Sequence, residues 1–266
     1  MKTSGFTNYI YLLYGQSDVC FAEAAYSIGT LLEKTDARFS RVIVFTDRPE
    51  KIGSWPVVCE SIADHFEKMK GQIGYWHRAK LCVISRCFEL YPGNVIFFDS
   101  DTIIHGPIRK FADSLVQGKA LMHRFESKNP IAGLAGFRTR LPDGTFYCYG
   151  GDSWMYNSGV IGIHESKKDV IPVALAICDE LLATGMKSHT FEQIAISEAL
   201  RISNIEILEV HPAVSHYCRN SQKKYMREKI PQACQKLQTE PWKLGNTIPY
   251  SYPRVFLSKI LRKLGA

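Results

Sequence analysis

The order of apolar runs in this chain predicts an α/β fold with a mixed, mostly parallel central sheet flanked by helices. Strand-like runs rich in β-branched and aromatic residues alternate with stretches of helical period through the first half of the sequence. Parallel strands need crossover connections, which helices supply. The 266 residues, 45% of them hydrophobic, are enough to bury a substantial core. We expect one principal domain over 1–250.

The first half contains a regular succession of strands and helices. The first expected strand ends at Gly15, the second is followed by Asp47 and Pro49, and Asp18 can cap the first helix. The expected elements are a strand at 8–14, a helix at 18–34, strands at 41–45 and 57–59, a helix at 76–91 and a strand at 94–98. This pattern indicates a nucleotide-binding half at about 8–110.

The second half, about 111–220, is less regular, and we interpret it as the acceptor half of the same domain. A stretch rich in Gly, Pro and Thr at 130–151 separates its elements. The expected elements are strands at 119–125 and 155–164, the latter interrupted by Asn157-Ser158-Gly159, helices near 169–184 and 191–200, and a strand at 205–208.

Two aspartates follow the strand at 94–98. Asp99 and Asp101 stand two residues apart, a spacing that puts both carboxylates on one side of an extended chain. Open α/β sheets hold ligands at the carboxyl ends of their strands, and carboxylate oxygens suit Mg²⁺ or Mn²⁺. The D-x-D pattern alone is weak, and a solvated strand end is the alternative.

The positive charge is concentrated near the carboxyl terminus. The net charge is +7, but eleven of the 33 Lys and Arg and only two Glu lie from position 217 onward. In the tail at 251–266, four apolar residues share one helical face: Leu257, Ile260, Leu261 and Leu264. Such a basic amphipathic helix can bind an anionic membrane surface, whereas a helix docked on its own domain is the alternative. A basic balance confined to the tail does not favour nucleic acid as a partner.

Other sequence features bear on location. The sequence contains neither a stretch typical of a membrane span nor a signal peptide, which predicts a cytoplasmic protein, peripheral at the inner face of the membrane if its tail binds there. The eight cysteines form no C-x-x-C pair and are expected to be free thiols.

Taken together, the motifs resemble those of glycosyltransferases with the nucleotide-diphospho-sugar (GT-A) fold, a Rossmann-like fold, and in particular the retaining group that includes glycogenin and bacterial lipopolysaccharide galactosyltransferases. The resemblance covers about 8–220. Five stretches in the family's order carry it: Tyr9–Gly15, Val44–Asp47, the helix with Arg78 and Lys80, Val95–Thr102, and Tyr156–Gly162.

Two more stretches are similar to that family. Phe191-Glu192-Gln193 is comparable to its acidic-Gln pair, and His216 stands where the family supplies an imidazole to the metal. After His216 the chain departs from the family, because Cys218–Lys224 replaces a Gly and a Lys-Pro-Trp run. Lys223 or Lys224 can still reach a pyrophosphate.

The resemblance implies a hexosyltransferase-like enzyme that moves a sugar from a nucleotide-diphosphate donor, of UDP type, to a saccharide or lipid-linked acceptor with retention. The implied cofactor is Mn²⁺ or Mg²⁺, with Asp99, Asp101 and His216 as ligands. Glu192 and Gln193 would face the reacting sugar carbon and stabilise its positive charge. The implied donor-binding residues are Leu13, Tyr14, Thr46, Asp47, Arg78, Lys80, Ser100, Asn157, Ser158 and Gly159.

Alternatives remain open for several of these roles. His189 and His211 compete with His216 as the imidazole ligand. Arg78 and Lys80 could pair with the aspartates, bind phosphate or be solvated. The Asn-Ser-Gly turn could be a β-bulge, and the acidic-Gln pair could merely favour a helix dipole.

Other function classes fit the sequence less well. A sugar-nucleotide nucleotidyltransferase would show a basic, Gly-rich loop after its first strand, whereas this chain has Gly15–Asp18 there. The two carboxylates of a glycoside hydrolase must flank a bond at about 5 Å or more, whereas two aspartates separated by one residue at a strand end suit a metal better. A non-catalytic peripheral membrane protein would leave the Asp pair unexplained.

Overall fold

The computed structural model describes residues 5–53, 55–128, 131–234, 248, 250, 251, 254, 255 and 258. Its first half alternates strands and helices as the sequence predicts. The elements are β1 (Thr7–Leu13), α1 (Asp18–Leu32), β2 (Ser40–Thr46), β3 (Val58–Ser61), α2 (Phe66–Met69), α3 (Arg78–Leu90) and β4 (Asn94–Phe98).

The second half contains the predicted elements and several that the sequence analysis missed. It consists of β5 (Thr102–Ile104), α4 (Ile108–Val116), β6 (Ala120–Lys128), β7 (Arg138–Arg140), β8 (Phe146–Cys148), β9 (Trp154–Ile163), α5 (Val170–Ala183), α6 (Phe191–Ile202), β10 (Ile207–Glu209), β11 (Val214–His216) and α7 (Asn220–Cys234). Helices α4 and α7, the hairpin β7–β8 and the short strands β5 and β11 were not predicted, and neither was the short helix α2 in the first half.

Seven strands form the central sheet in the order β3-β2-β1-β4-β9-β6-β10. The four strands from β3 to β4 are parallel, as are β6 and β10, and β9 alone runs against its neighbours. The expected α/β fold with a mixed, mostly parallel sheet is therefore confirmed. The strand order reverses between β1 and β4, so the carboxyl ends of these two strands border the crevice where such sheets hold ligands.

Successive side chains of the central strands point to opposite faces of the sheet, and this divides the core into two layers. Ile10 and Phe97 pack on the face covered by α3, α5 and α6, whereas Tyr11 and Phe98 pack on the face covered by α1 and α4. Strands β1 and β4 are buried along their whole length, as expected for parallel strands with helices on both faces.

Strand β9 is continuous through Asn157-Ser158-Gly159, where the sequence analysis expected an interruption. The irregularity is instead a register shift against β6, because Met122 pairs with Ile161 but Arg124 pairs with Asn157. The extra residues on β9 fit the β-bulge alternative, and such bulges re-aim side chains next to binding sites.

A third apolar cluster joins α7 to α1 and to the chain near the carboxyl terminus. Tyr26 and Tyr217 pack there with Ile248 and Val255, and the Ile248 amide donates to the Tyr26 hydroxyl at 2.7 Å. The chain thus returns to the domain where the predicted tail at 251–266 begins. Most of that tail lies outside the described residues.

Two further findings bear on the expectations from sequence. No helix within the described residues combines the length and hydropathy that a membrane span needs. The cysteines that the structure describes, including buried Cys87 and Cys178, are free thiols.

Candidate metal centre

Three side chains converge beyond the carboxyl end of β4. Asp99 and Asp101 lie in the turn between β4 and β5, and His216 ends β11, which pairs with β5. One ligand atom from each residue lies within 4.8 Å of the others. The small β5–β11 sheet therefore brings an imidazole to aspartates that are far from it in sequence.

The His216 ring is oriented by a hydrogen bond on the nitrogen that faces away from the aspartates. Its Nδ1 lies 2.7 Å from Asn157 Oδ1, which also accepts from the Gly159 amide at 3.0 Å, while Asn157 Nδ2 donates to Glu126 at 3.0 Å. Nδ1 must therefore donate, and Nε2 faces Asp101 Oδ1 at 3.1 Å and Asp99 Oδ2 at 3.5 Å. Metal-binding histidines are held in this way by a partner on the second nitrogen.

Gly159 is required by the imidazole above it. A Cβ atom at this position would lie 2.3 Å from His216 Nδ1, so no other residue fits without displacing the ring. The Gly159 carbonyl also accepts from the Asp99 amide at 2.9 Å. Gly159, which was predicted as a donor-binding residue, therefore allows close backbone approach to the imidazole.

Each aspartate has an ammonium partner. Lys80 Nζ lies 2.9 Å from Asp99 Oδ2, and Lys223 Nζ lies 2.9 Å from Asp101 Oδ2. Burial acts to lower the pKa of both lysines, but the aspartates outweigh it and raise the pKa of each. Burial raises the pKa of Asp101, but His216 and Lys223 hold it well below its usual range. Burial favours neutral His216, yet Asp101 and Asp99 raise its pKa.

A buried carboxyl group lies beside Lys80. The Ser158 hydroxyl is 3.0 Å from Glu192 Oε2 and 3.3 Å from Lys80 Nζ, and the Ser158 amide donates to Gln193 Oε1 at 3.0 Å. Glu192 Oε1 is buried and has no hydrogen-bond partner. Burial, countered in part by Lys80, raises the pKa of Glu192 to about 7. Buried polar groups are normally paired, so this oxygen is available to a ligand.

These groups line one cavity of about 450 Å³. One wall is aromatic: Tyr14 stacks on Trp76 with ring centroids 5.1 Å apart, and Trp76 remains 46% exposed. A small-molecule site typically combines apolar walls with a few converging polar groups. The cavity is lined by Leu12, Leu13, Tyr14, Cys20, Glu23, Trp76, His77, Lys80, Phe97, Asp99, Ser100, Asp101, Glu126, Asn157, Ser158, His189, Thr190, Glu192, Gln193, His216, Cys218 and Lys223.

Most of the predicted site residues meet at this cavity. All three predicted metal ligands and the pair at the start of α6 line it. The predicted donor-binding residues that also line it are Leu13, Tyr14, Lys80, Ser100, Asn157 and Ser158.

Four predicted donor-binding residues are not among those that line the cavity: Thr46, Asp47, Arg78 and Gly159. Arg78 instead forms a bidentate ion pair with Asp179 on α5 and donates to the Met69 carbonyl, because the start of α3 faces α5. The Asp47 carboxylate accepts from the Gly15 amide and so holds the loop after β1. The Thr46 hydroxyl accepts from the Arg48 amide. These contacts of Thr46, Asp47 and Arg78 are structural, and their role in donor binding stays a prediction.

Of the competing histidines, neither contacts the aspartates. His189 lines the cavity, whereas His211 packs edge-on against His123, whose ring also contacts His216.

The sequence analysis missed Glu126 and Glu23, which also line the cavity. Glu23 had a usable signal, because Glu23, Ser27 and Thr30 form a polar strip at helical spacing on the otherwise apolar α1.

The donor set can hold a divalent cation. Two carboxylate oxygens and one oriented imidazole nitrogen are groups that bind such ions in proteins. Comparison with protein-family models gives no match, and comparison with curated proteins gives none either.

Proposed function

We propose that this chain is a metal-dependent glycosyltransferase of the GT-A fold that uses a nucleotide-diphosphate sugar, of UDP type. The acceptor is proposed to be a saccharide or a lipid-linked glycan. The observation that carries the proposal is the convergence of Asp99, Asp101 and His216 in a cavity at the carboxyl ends of β1 and β4. Strand-order reversal at this place is typical of nucleotide-binding α/β sheets.

The charges around the three ligands suit a leaving diphosphate. Mn²⁺ or Mg²⁺, when bound, would act as a Lewis acid on the diphosphate. Lys80 and Lys223 both line the cavity and place ammonium groups next to the aspartates. Buried cations attract phosphate more strongly than solvated ones, because less water screens them.

The other side chains suit the sugar. The Ser158 hydroxyl and the Gln193 amide can exchange hydrogen bonds with sugar hydroxyls. Glu192 can stabilise positive charge that develops on the sugar ring, because its Oε1 has no partner of its own. The aromatic wall of Tyr14 and Trp76 can take a nucleobase or a sugar face. Retention is proposed from the family resemblance, and NMR of the product tests it.

A thermal-shift assay combined with a transfer assay tests the proposal. UDP-sugars are expected to raise the Tm only when Mn²⁺ is present, because ligands that bind the native state stabilise it by mass action. Asp101→Ala should abolish both the shift and transfer, whereas Asp64→Ala, which changes an exposed aspartate, should retain both. Full transfer activity in Asp101→Ala, or in chelator-treated protein, would refute the proposal.

A further inference from the structure

The metal ligands and their nearest partners carry balanced charge. Asp99 and Asp101 contribute two negative charges, and the ammonium groups of Lys80 and Lys223, each 2.9 Å from one of them, contribute two positive charges. His216 adds no charge when it binds a metal, since a coordinating imidazole is neutral. The formal charge of these five side chains is therefore zero.

A divalent cation alone gains little from such a site. Its attraction to the two carboxylates is opposed by its repulsion from two ammonium groups at similar range. Of the other carboxyl groups that line the cavity, Glu23 is paired with Arg227, and Glu126 and Glu192 are hydrogen-bonded to Asn157 and Ser158 rather than to the metal ligands. A diphosphate brings the missing negative charge, and it attracts the cation and both lysines together.

We propose that Lys223 is the positioning residue that makes the affinity for the cation depend on the diphosphate. This inference rests on the proposed use of a diphosphate donor. Lys223 contacts Asp101 Oδ2, while His216 faces Oδ1 of the same carboxylate. Lys223 thus orients and neutralises Asp101 without occupying the side that faces the imidazole.

Lys223 suits this role better than Lys80. It comes from α7, outside the central sheet, and its side chain is 32% exposed, whereas that of Lys80 is 11% exposed. Helix α7 is anchored independently of it, through the Arg227–Glu23 ion pair at 2.9 Å and through buried Met226 and Ile230. A substitution at position 223 should therefore remove the charge and leave the helix in place.

The test is calorimetric titration of the whole chain with Mn²⁺ alone, with saturating UDP, and with saturating inorganic pyrophosphate. In the unmodified protein either diphosphate should tighten Mn²⁺ binding by about tenfold or more. Lys223→Met should tighten the binding of Mn²⁺ alone by about tenfold, and it should reduce the enhancement by diphosphate to a similar extent. Lys229→Met is the matched control, because Lys229 is an exposed lysine farther along the same helix and is not among the residues that line the cavity, and it should behave as the unmodified protein.

Three results would overturn the inference. They are equal Mn²⁺ affinity with and without diphosphate in the unmodified protein, Mn²⁺ binding to Lys223→Met that is unchanged or weaker, and equal effects of the two lysine substitutions. If pyrophosphate enhances Mn²⁺ binding and UDP does not, the inference is supported and the proposed UDP-type donor is wrong. If Mn²⁺ binds tightly alone and UDP-sugars are still turned over, the proposed function is supported and the inference is wrong.

Discussion

Helix α6 carries two buried glutamates with opposite surroundings. Glu198 is fully buried, and donors surround both of its oxygens: the Tyr147 hydroxyl, the Ser153 hydroxyl, the Trp154 amide and the Arg201 guanidinium, all within 2.9 Å. Glu192 is equally buried, but its Oε1 has no partner and its pKa is raised to about 7 by burial.

The difference separates a carboxylate that supports the fold from one that is available to a ligand. Glu198 joins α6 to β8 and to the start of β9, so its hydrogen bonds stabilise the native chain. Glu192 faces the cavity, so its desolvation is uncompensated within the protein. Perturbed and unsatisfied groups in a cleft are candidates for function, whereas satisfied ones are candidates for structure.

The largest expected effect is on transfer. Glu192→Gln should lower kcat for sugar transfer by about 100- to 1000-fold, because an amide stabilises positive charge poorly. The Tm should not fall, since the new amide oxygen can still accept from Ser158. Steady-state kinetics and a melting curve of the same preparation check this, and unchanged kcat would remove the proposed role.

The same substitution at Glu198 should lower the stability of the fold rather than the rate of transfer. Glu198→Gln places an NH₂ group among donors and leaves Arg201 without its ion partner. We expect a loss of about 2 to 3 kcal/mol in the free energy of unfolding, with kcat of the folded enzyme nearly unchanged. Urea unfolding measures the first quantity. A large drop in kcat without loss of stability would contradict the distinction between the two residues.

Glu192 should also make the free energy of unfolding depend on pH. Because burial raises the pKa of Glu192 to about 7 in the native state, the folded protein binds this proton more tightly than the unfolded chain does. The resulting stabilisation is present below the unfolded pKa and is lost as the pH rises through about 7.

Glu192→Gln removes this loss. The stability of that variant relative to the unmodified protein should therefore rise by on the order of 2 kcal/mol between pH 5 and pH 8. Urea unfolding at several pH values measures it. Glu180→Gln, at an exposed position of α5, should show no such trend, and a flat difference for Glu192→Gln would contradict the prediction.

The smallest expected effect comes from removing one donor of the satisfied glutamate. Tyr147→Phe deletes the 2.8 Å hydrogen bond to Glu198 and should cost about 1 kcal/mol of unfolding free energy. The remaining donors still satisfy the carboxylate. A loss as large as that from Glu198→Gln would mean that the hydroxyl, rather than the whole set of donors, determines the stability.

The regular elements were predictable from local pattern, whereas their partners were not. The apolar strand at Asn94–Phe98 and the aspartates after it are visible in the sequence, and the structure places both aspartates in the cavity. Helix α7 was missed because its apolar face is narrow and the segment is rich in Lys, Arg and Gln. Its pairing with α1 depends on the third core cluster, which is a tertiary property.

Arg78 shows that the direction in which a single side chain points could not be predicted from the sequence. Position in sequence placed it near Lys80, but a two-residue offset on α3 turns the two side chains to different faces of the helix. Lys80 then reaches Asp99, and Arg78 reaches Asp179. Sequence reasoning identified the helix that serves the site and could not decide which of its charges faces inward, because that depends on how α3 packs against α5.

The ligands of the candidate metal centre are far apart in the sequence. Asp101 and His216 are separated by 115 positions, and the second of them belongs to a three-residue strand whose only described partner strand is β5. An ion shared by these residues would therefore act as a removable staple between two segments that are 115 positions apart. Its release should loosen β11 and the start of α7 before the central sheet, so metal loading would be visible as slower amide exchange in that corner of the molecule.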